Sequence, residues 1–274
     1  MLELNKITII GGHGKFGEKE PLEGLDLNMG DIASIVGPTG SGKTALINDI
    51  GMFADGNSPS GRRVLINDRE PSKEFLEDPS KNPIALITQH TSFLSDLPVY
   101  KFLGLHARIR KTGKPESMVE ETIDFANQLT GEPIIVDSAM TELSGGQSRA
   151  LLIADAVIIG NTPIILLDEI ENAGIDRSKA LELLRKYDKI FIFVTHDLGI
   201  SLLSNYRLVM KEGGMQAVIV TEEEEKRMAE KFKTMDEIML HFRNRIRAGN
   251  RLEEQELREL LKRAQSVLMG ESGK

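Results

Sequence analysis

The run IASIVGPTGSGKT, residues 32–44, constrains this chain more than any other stretch. An apolar run, a glycine-rich loop and the opening of a helical pattern make a strand–loop–helix unit. Glycines let consecutive backbone N–H groups of the loop converge on one anion, and the helix that starts at Lys43 adds its positive end. Such a unit belongs in an open, mostly parallel sheet that takes its ligand outside the carboxyl ends of the strands.

The rest of the chain keeps the same alternation. Strands are expected at 6–10, 32–36, 63–66, 84–88, 164–168 and 190–195, with 207–210 and 217–220 finishing the sheet. One helix should follow the loop from Lys43 to about Met52. Between Gln89 and Ser144 the strand signal stops, and VYKFLGLHARIR and ESMVEETIDFANQL have helical periodicity. These put a helical subdomain, about 92–158, inside an α/β domain covering 1–220.

Residues 221–274 differ in character. TEEEEKRMAEKF opens a charged helix with Thr221 as its N-cap and acids in the first turn. Met235, Ile238, Met239, Phe242 and Ile246 fall at helical spacing, as do Leu257, Leu260, Leu261, Ala264 and Leu268 after the AGN break at 248–250. A helical hairpin with one apolar face is expected. Packing on its own domain is the plainer use of that face; a second subunit or another partner is the sharper one.

Composition removes whole classes of function. Against 34 basic residues stand 42 acidic ones, a net charge of −8, whereas a general nucleic-acid binder carries a basic surplus. Two basic stretches, ARIRKTGK at 107–114 and RNRIRAGNR at 243–251, are the only support for such a role. No cysteine means no disulfide, thiolate metal site or catalytic thiol. No run approaches the roughly 18 apolar residues of a membrane span, and MLELNKITII has the wrong flanks for a signal peptide. A cytoplasmic protein is expected, peripheral on the inner face of a membrane if it serves one.

GPTGSGKT, residues 37–44, has the phosphate-loop spacing G-x-x-x-x-G-K-[ST]. Gly37, Pro38, Thr39, Gly40, Ser41, Gly42, Lys43, Thr44 and Ala45 are therefore candidate contacts for ATP. Lys43 should reach the β- and γ-phosphates, and Thr44 should offer its hydroxyl to Mg²⁺. PIILLDE ends an apolar strand in two carboxylates at the same sheet edge. Asp168 suits Mg²⁺, through water; Glu169 suits orientation of an attacking water. IFVTHD delivers His196 there, and IALIT delivers Gln89. Each of these alone is an ordinary surface residue; jointly they surround one γ-phosphate.

A second glycine pair, LSGGQS at 143–148, lies about a hundred residues downstream of the first. The ordered set GPTGSGKT, Gln89, LSGGQ, ILLDE and His196 resembles the ATP-binding-cassette ATPases over residues 1–220. The resemblance implies a P-loop NTPase fold: a mostly parallel sheet, an antiparallel β-subdomain and an inserted helical subdomain, with the C-terminal hairpin outside it. It implies two cassettes closing head to tail around two Mg-ATP, so that Ser144, Gly145, Gly146 and Gln147 contact nucleotide held by the partner chain. A helix from Gln147 to about Ile158 would then aim its N-terminus at that phosphate. By the same resemblance Gln89 senses Mg²⁺ and water, His196 contacts the γ-phosphate, and Asp176 sits in a dimer-contact loop. An aromatic residue upstream of the phosphate loop usually stacks on adenine; Phe16 is the nearest, with His13 behind it.

Because each motif occurs once, a homodimer would have two intact sites, and a heterodimer is the alternative. The implied partners are membrane-spanning permease subunits, with ATP hydrolysis driving transport, or instead a soluble protein or metallocofactor-assembly client. Departures from the transporter pattern bear on that choice. Ile170 stands where Pro is commoner, AGID at 173–176 replaces a Ser-Ala-Leu-Asp loop, and the stretch from Glu169 to His196 is short.

Overall fold

The structure is a computed structural model that describes residues 4–78, 80–88, 90–110, 114–169 and 177–268. The chain divides into two compact units, Met1–Val220 and Thr221–Lys274.

In the first unit a six-stranded sheet has the order β5-β6-β7-β3-β8-β9. Its strands are β3 (Ile32–Val36), β5 (Ile84–Ile87), β6 (Ile164–Asp168), β7 (Ile190–Val194), β8 (Tyr206–Lys211) and β9 (Gly214–Val220). All neighbouring pairs are parallel except β8–β9, an antiparallel hairpin turned by Glu212 and Gly213 at φ 51° and 85°. Two successive positive φ values match the right-handed twist of the flanking strands.

The central parallel strands β3, β6 and β7 are buried on both faces and so read as continuous apolar runs. Ile165, Leu167, Phe191 and Phe193 join one core, together with the helical subdomain: α3 (Val99–Ile109), α4 (Pro115–Leu129) and α5 (Gly145–Val157). Ile164, Leu166, Ile190, Ile192 and Val194 join the other. That second core holds α1 (Lys43–Gly51) and a three-stranded antiparallel sheet, β2-β1-β4, from β1 (Lys6–Ile10), β2 (Gly24–Asn28) and β4 (Arg63–Ile66). Each such side chain, fully buried, contributes about 1.5–3 kcal/mol of transfer free energy. Short helices α2 (Lys73–Glu77), α6 (Arg177–Leu184) and α7 (Leu198–Leu203) complete the unit.

Three details depart from the sequence expectations. β2 was not foreseen: GLDLN buries only Leu25 and Leu27, too weak an alternation to stand out. The helix after the second glycine pair begins at Gly145, not Gln147, because Ser144 and Gln147 form a capping box in which each side chain accepts the other's backbone N–H. In the second unit, α8 (Glu223–Arg247) is capped by Glu222 and Glu225 instead of Thr221. α9 (Glu254–Leu268) follows it, after the AGN break in which Gly249 takes φ 75°.

Candidate functional site

The residues bringing chemistry to the sheet come from three adjacent strands. β6, β7 and β3 lie side by side and parallel, so their carboxyl ends form one edge. Asp168 pairs across with Val194, and Val194 with Ile35, which sets all three ends level. The loop 37–42 leaves β3 at that edge; Asp168 ends β6 and Glu169 follows it; His196 stands two residues beyond β7.

The glycine loop is closed from within by its own lysine. Lys43 is 7% exposed and its Nζ donates to the carbonyl oxygens of Gly37 (2.9 Å) and Pro38 (3.2 Å). The Ser41 Oγ beside it is buried with no hydrogen-bond partner. An orphaned hydroxyl beside a buried positive charge makes a cradle whose chemistry fits a phosphate. Gly42, the residue before α1, has φ 96°, and a Cβ there would come within 2.8 Å of Gly213 Cα. Any larger residue at 42 would therefore push the β8–β9 turn off the loop. Thr39, Gly40, Thr44 and Ala45 are exposed around the cradle.

Thr44 and Asp168 supply a hydroxyl and a carboxylate. Mg²⁺ usually keeps several waters and takes only one or two such protein ligands beside substrate phosphates. The donor types fit that ion.

Glu169 takes φ 50°, a left-handed backbone uncommon for a residue with a side chain, and its N–H donates to Val194 O at 3.0 Å. Strain of about 1–3 kcal/mol stored at a strand end is a feature of functional positions. His196 is exposed, between buried Thr195 and Asp197, the N-cap of α7. Phe16 is 76% exposed on the loop between β1 and β2, with Lys15 Nζ 5.9 Å from its ring centre. That loop is tied back to the sheet: Lys15 N–H donates to Glu212 O at 2.7 Å. His13 is exposed on the same loop and bridges to Lys19.

The second glycine pair is built differently. Ser144 and Gly145 are exposed at the N-terminus of α5, and a Cβ placed on Gly145 would meet nothing within 4 Å. Gln147 donates through Nε2 to Pro133 O at 3.1 Å, fixing the helix start to the segment before it. Gln89 and Asp176, and with them Ile170, lie outside the described residues. Sequence reasoning missed Glu20, Asp49 and Arg62, which meet in a buried ion cluster behind the loop. Their charges come from three separate segments, and no local pattern connects them.

Comparison with known proteins gives the arrangement its family. A family model described as ABC transporter matches residues 24–172. An uncharacterized ABC transporter ATP-binding protein of Methanocaldococcus jannaschii is 46% identical over 261 residues, covering 95% of this chain and 100% of that protein. A spermidine/putrescine import ATP-binding protein of Bacteroides fragilis is 29% identical over 80% of this chain, which spans only 48% of that protein's length. Among solved structures, a dimeric post-hydrolysis ATP-binding cassette bound to ADP and Pi superposes with a TM-score of 0.59 at 23% identity. The alignment covers 79% of this chain and 99% of that one, a likeness of fold. The chain belongs to the ABC transporter family, within which it is a nucleotide-binding cassette of the ATPase class.

Proposed function

We propose that this chain binds Mg-ATP at the 37–45 loop and hydrolyses it in a head-to-tail dimer, as the ATPase component of a transporter. The observation that supports the reading is the presence of two unlike glycine loops on one chain. One is a buried cradle with an orphaned Ser41 hydroxyl; the other is the solvent-facing start of α5. The second has open space where the first has walls, so it is suited to approach another molecule's phosphate.

In that dimer Lys43 and the loop N–H groups hold the β- and γ-phosphates, while Phe16 stacks on adenine. Magnesium, held by Thr44, Asp168 and Gln89, would neutralise charge on the phosphate oxygens. Glu169 orients water for in-line attack, and His196 contacts the γ-phosphate. Ser144, Gly145, Gly146 and Gln147 of the partner cap that phosphate, with Asp176 at the dimer contact. Catalysis is then positioning plus charge stabilisation, and no residue forms a covalent bond.

The transport reading is supported by the two relatives, whose names carry transporter and import functions. The polyamine cargo in the second name belongs to that protein. No helix among the described residues is long and apolar enough to cross a membrane, so the spanning part would come from separate subunits.

Glu169→Gln tests both halves. It should keep ATP binding, abolish turnover and shift gel-filtration elution to a dimer with ATP. Purified from native membranes, the trapped variant should bring integral partners. Normal hydrolysis would remove Glu169 from the chemistry. Recovery with soluble proteins alone would replace transport by work on a cytoplasmic client.

A further inference from the structure

Arg62 is 0% exposed, and the chemistry above makes no use of it. Its guanidinium reaches three separate parts of the first unit. Nη1 donates to Asp49 Oδ2 on α1 at 2.9 Å, Nε to Glu20 Oε1 at 3.0 Å, and Nη2 to Gly213 O at 2.6 Å. Glu20 uses its remaining capacity on the backbone, accepting from Met215 N–H on Oε1 and from Gly12 N–H on Oε2, both at 2.9 Å. Ser60 Oγ completes Asp49 at 2.7 Å.

One of these contacts falls on the β8–β9 turn, which touches both loops. Gly213 accepts Arg62 at its carbonyl and donates its N–H to Ser41 O at 2.9 Å. Its neighbour Glu212 accepts from Lys15 N–H, next to Phe16. A Cβ on Gly213 would lie 2.7 Å from Lys15 N, so the turn is pressed against the Phe16 loop on one side and the phosphate loop on the other. Two acids and one base buried together cost more than an apolar plug of the same volume. What a rigid fork of donors gives in exchange is fixed geometry.

We propose that Arg62 is a positioning residue that sets the spacing between the Phe16 loop and the phosphate loop, and hence how well the base and the phosphates of one nucleotide are held at once. The proposal rests on the nucleotide-binding reading above. With the fork intact, both loops are ordered before the ligand arrives. Without it, the phosphate loop still accepts a phosphate chain, but engaging the base must first order the Phe16 loop.

The test compares ATP with inorganic tripolyphosphate, each with magnesium, by calorimetric titration of the full chain. Arg62→Lys keeps the charge but loses the fork. Glu20→Gln leaves Arg62 and Asp49 as a neutral pair and turns the acceptor of Gly12 N–H into a donor. Both variants should lose about tenfold in ATP affinity, the scale of one charged hydrogen bond, and less than about twofold for tripolyphosphate. Parallel losses for the two ligands, or a lowered melting midpoint with unchanged affinities, would show that Arg62 only holds the fold. Should Arg62→Lys not fold, Glu20→Gln decides by the same criterion. Wild-type protein that binds neither ligand would instead overturn the nucleotide reading itself.

Discussion

Lys189 shows what burial does to a single charge in this chain. It is 5% exposed, its ammonium donates to Asn161 Oδ1 at 2.8 Å and Thr162 O at 3.1 Å, and desolvation pushes its pKa down to about 8. The folded value lies below the unfolded one, so between about pH 8 and 10.5 the unfolded chain binds the extra proton. Stability should therefore rise with pH across that window. Below pH 8 both states are charged, and the burial penalty is present in full. The difference in urea unfolding free energy between wild type and Lys189→Met should shift toward wild type by up to about 3 kcal/mol over the window. A flat difference would mean that the two carbonyl acceptors already compensate the buried charge. At this scale the place of Lys43, Asp168 and His196 at one sheet edge was legible because strand ends announce it. The left-handed backbone of Glu169 and the Arg62 cluster were not, since φ and long-range ion pairing leave no mark on neighbouring residues.

At the scale of elements, α5 separates what a glycine does for folding from what it does for function. Gly145 opens the helix with room for a side chain, so Gly145→Ala should not strain the isolated chain. Replacing glycine in a helix adds about 0.5–1 kcal/mol, less at a terminal position. Urea unfolding should show equal or greater stability, while ATPase activity should fall at least about tenfold if the added methyl meets the partner's phosphate. Undiminished activity would remove Gly145 from the shared site. The apolar strands β3, β6 and β7 and the amphipathic helices α3 and α4 were readable from sequence because one face or both are buried. β2, with two buried residues, and the exact starts of α5 and α8 were not. A cap depends on which side-chain oxygen reaches back, and Thr221, Glu222 and Ser144 all carry one.

Across the whole molecule, the main sheet separates the nucleotide helix from the helical subdomain. Leu166 and Leu167 are neighbours in β6, both 0% exposed, yet they face opposite cores. Leu166 shares its core with Leu46, Ile47 and Ile50 of α1; Leu167 shares its own with Leu103, Phe125 and Leu151 of α3, α4 and α5. Either leucine cut to alanine should cost about 2–5 kcal/mol of stability. Only Leu166→Ala should weaken ATP binding, because only that cavity opens beneath the phosphate-loop helix. Titration calorimetry with unfolding curves on both variants checks this, and equal losses of affinity would mean the sheet transmits the defect. The wider consequence concerns substitution: odd and even positions of one short strand answer to different packing partners. A substitution at one position can therefore repack the α3–α5 side of the sheet, one alternate side chain at a time, while the packing of α1 on the other side stays intact.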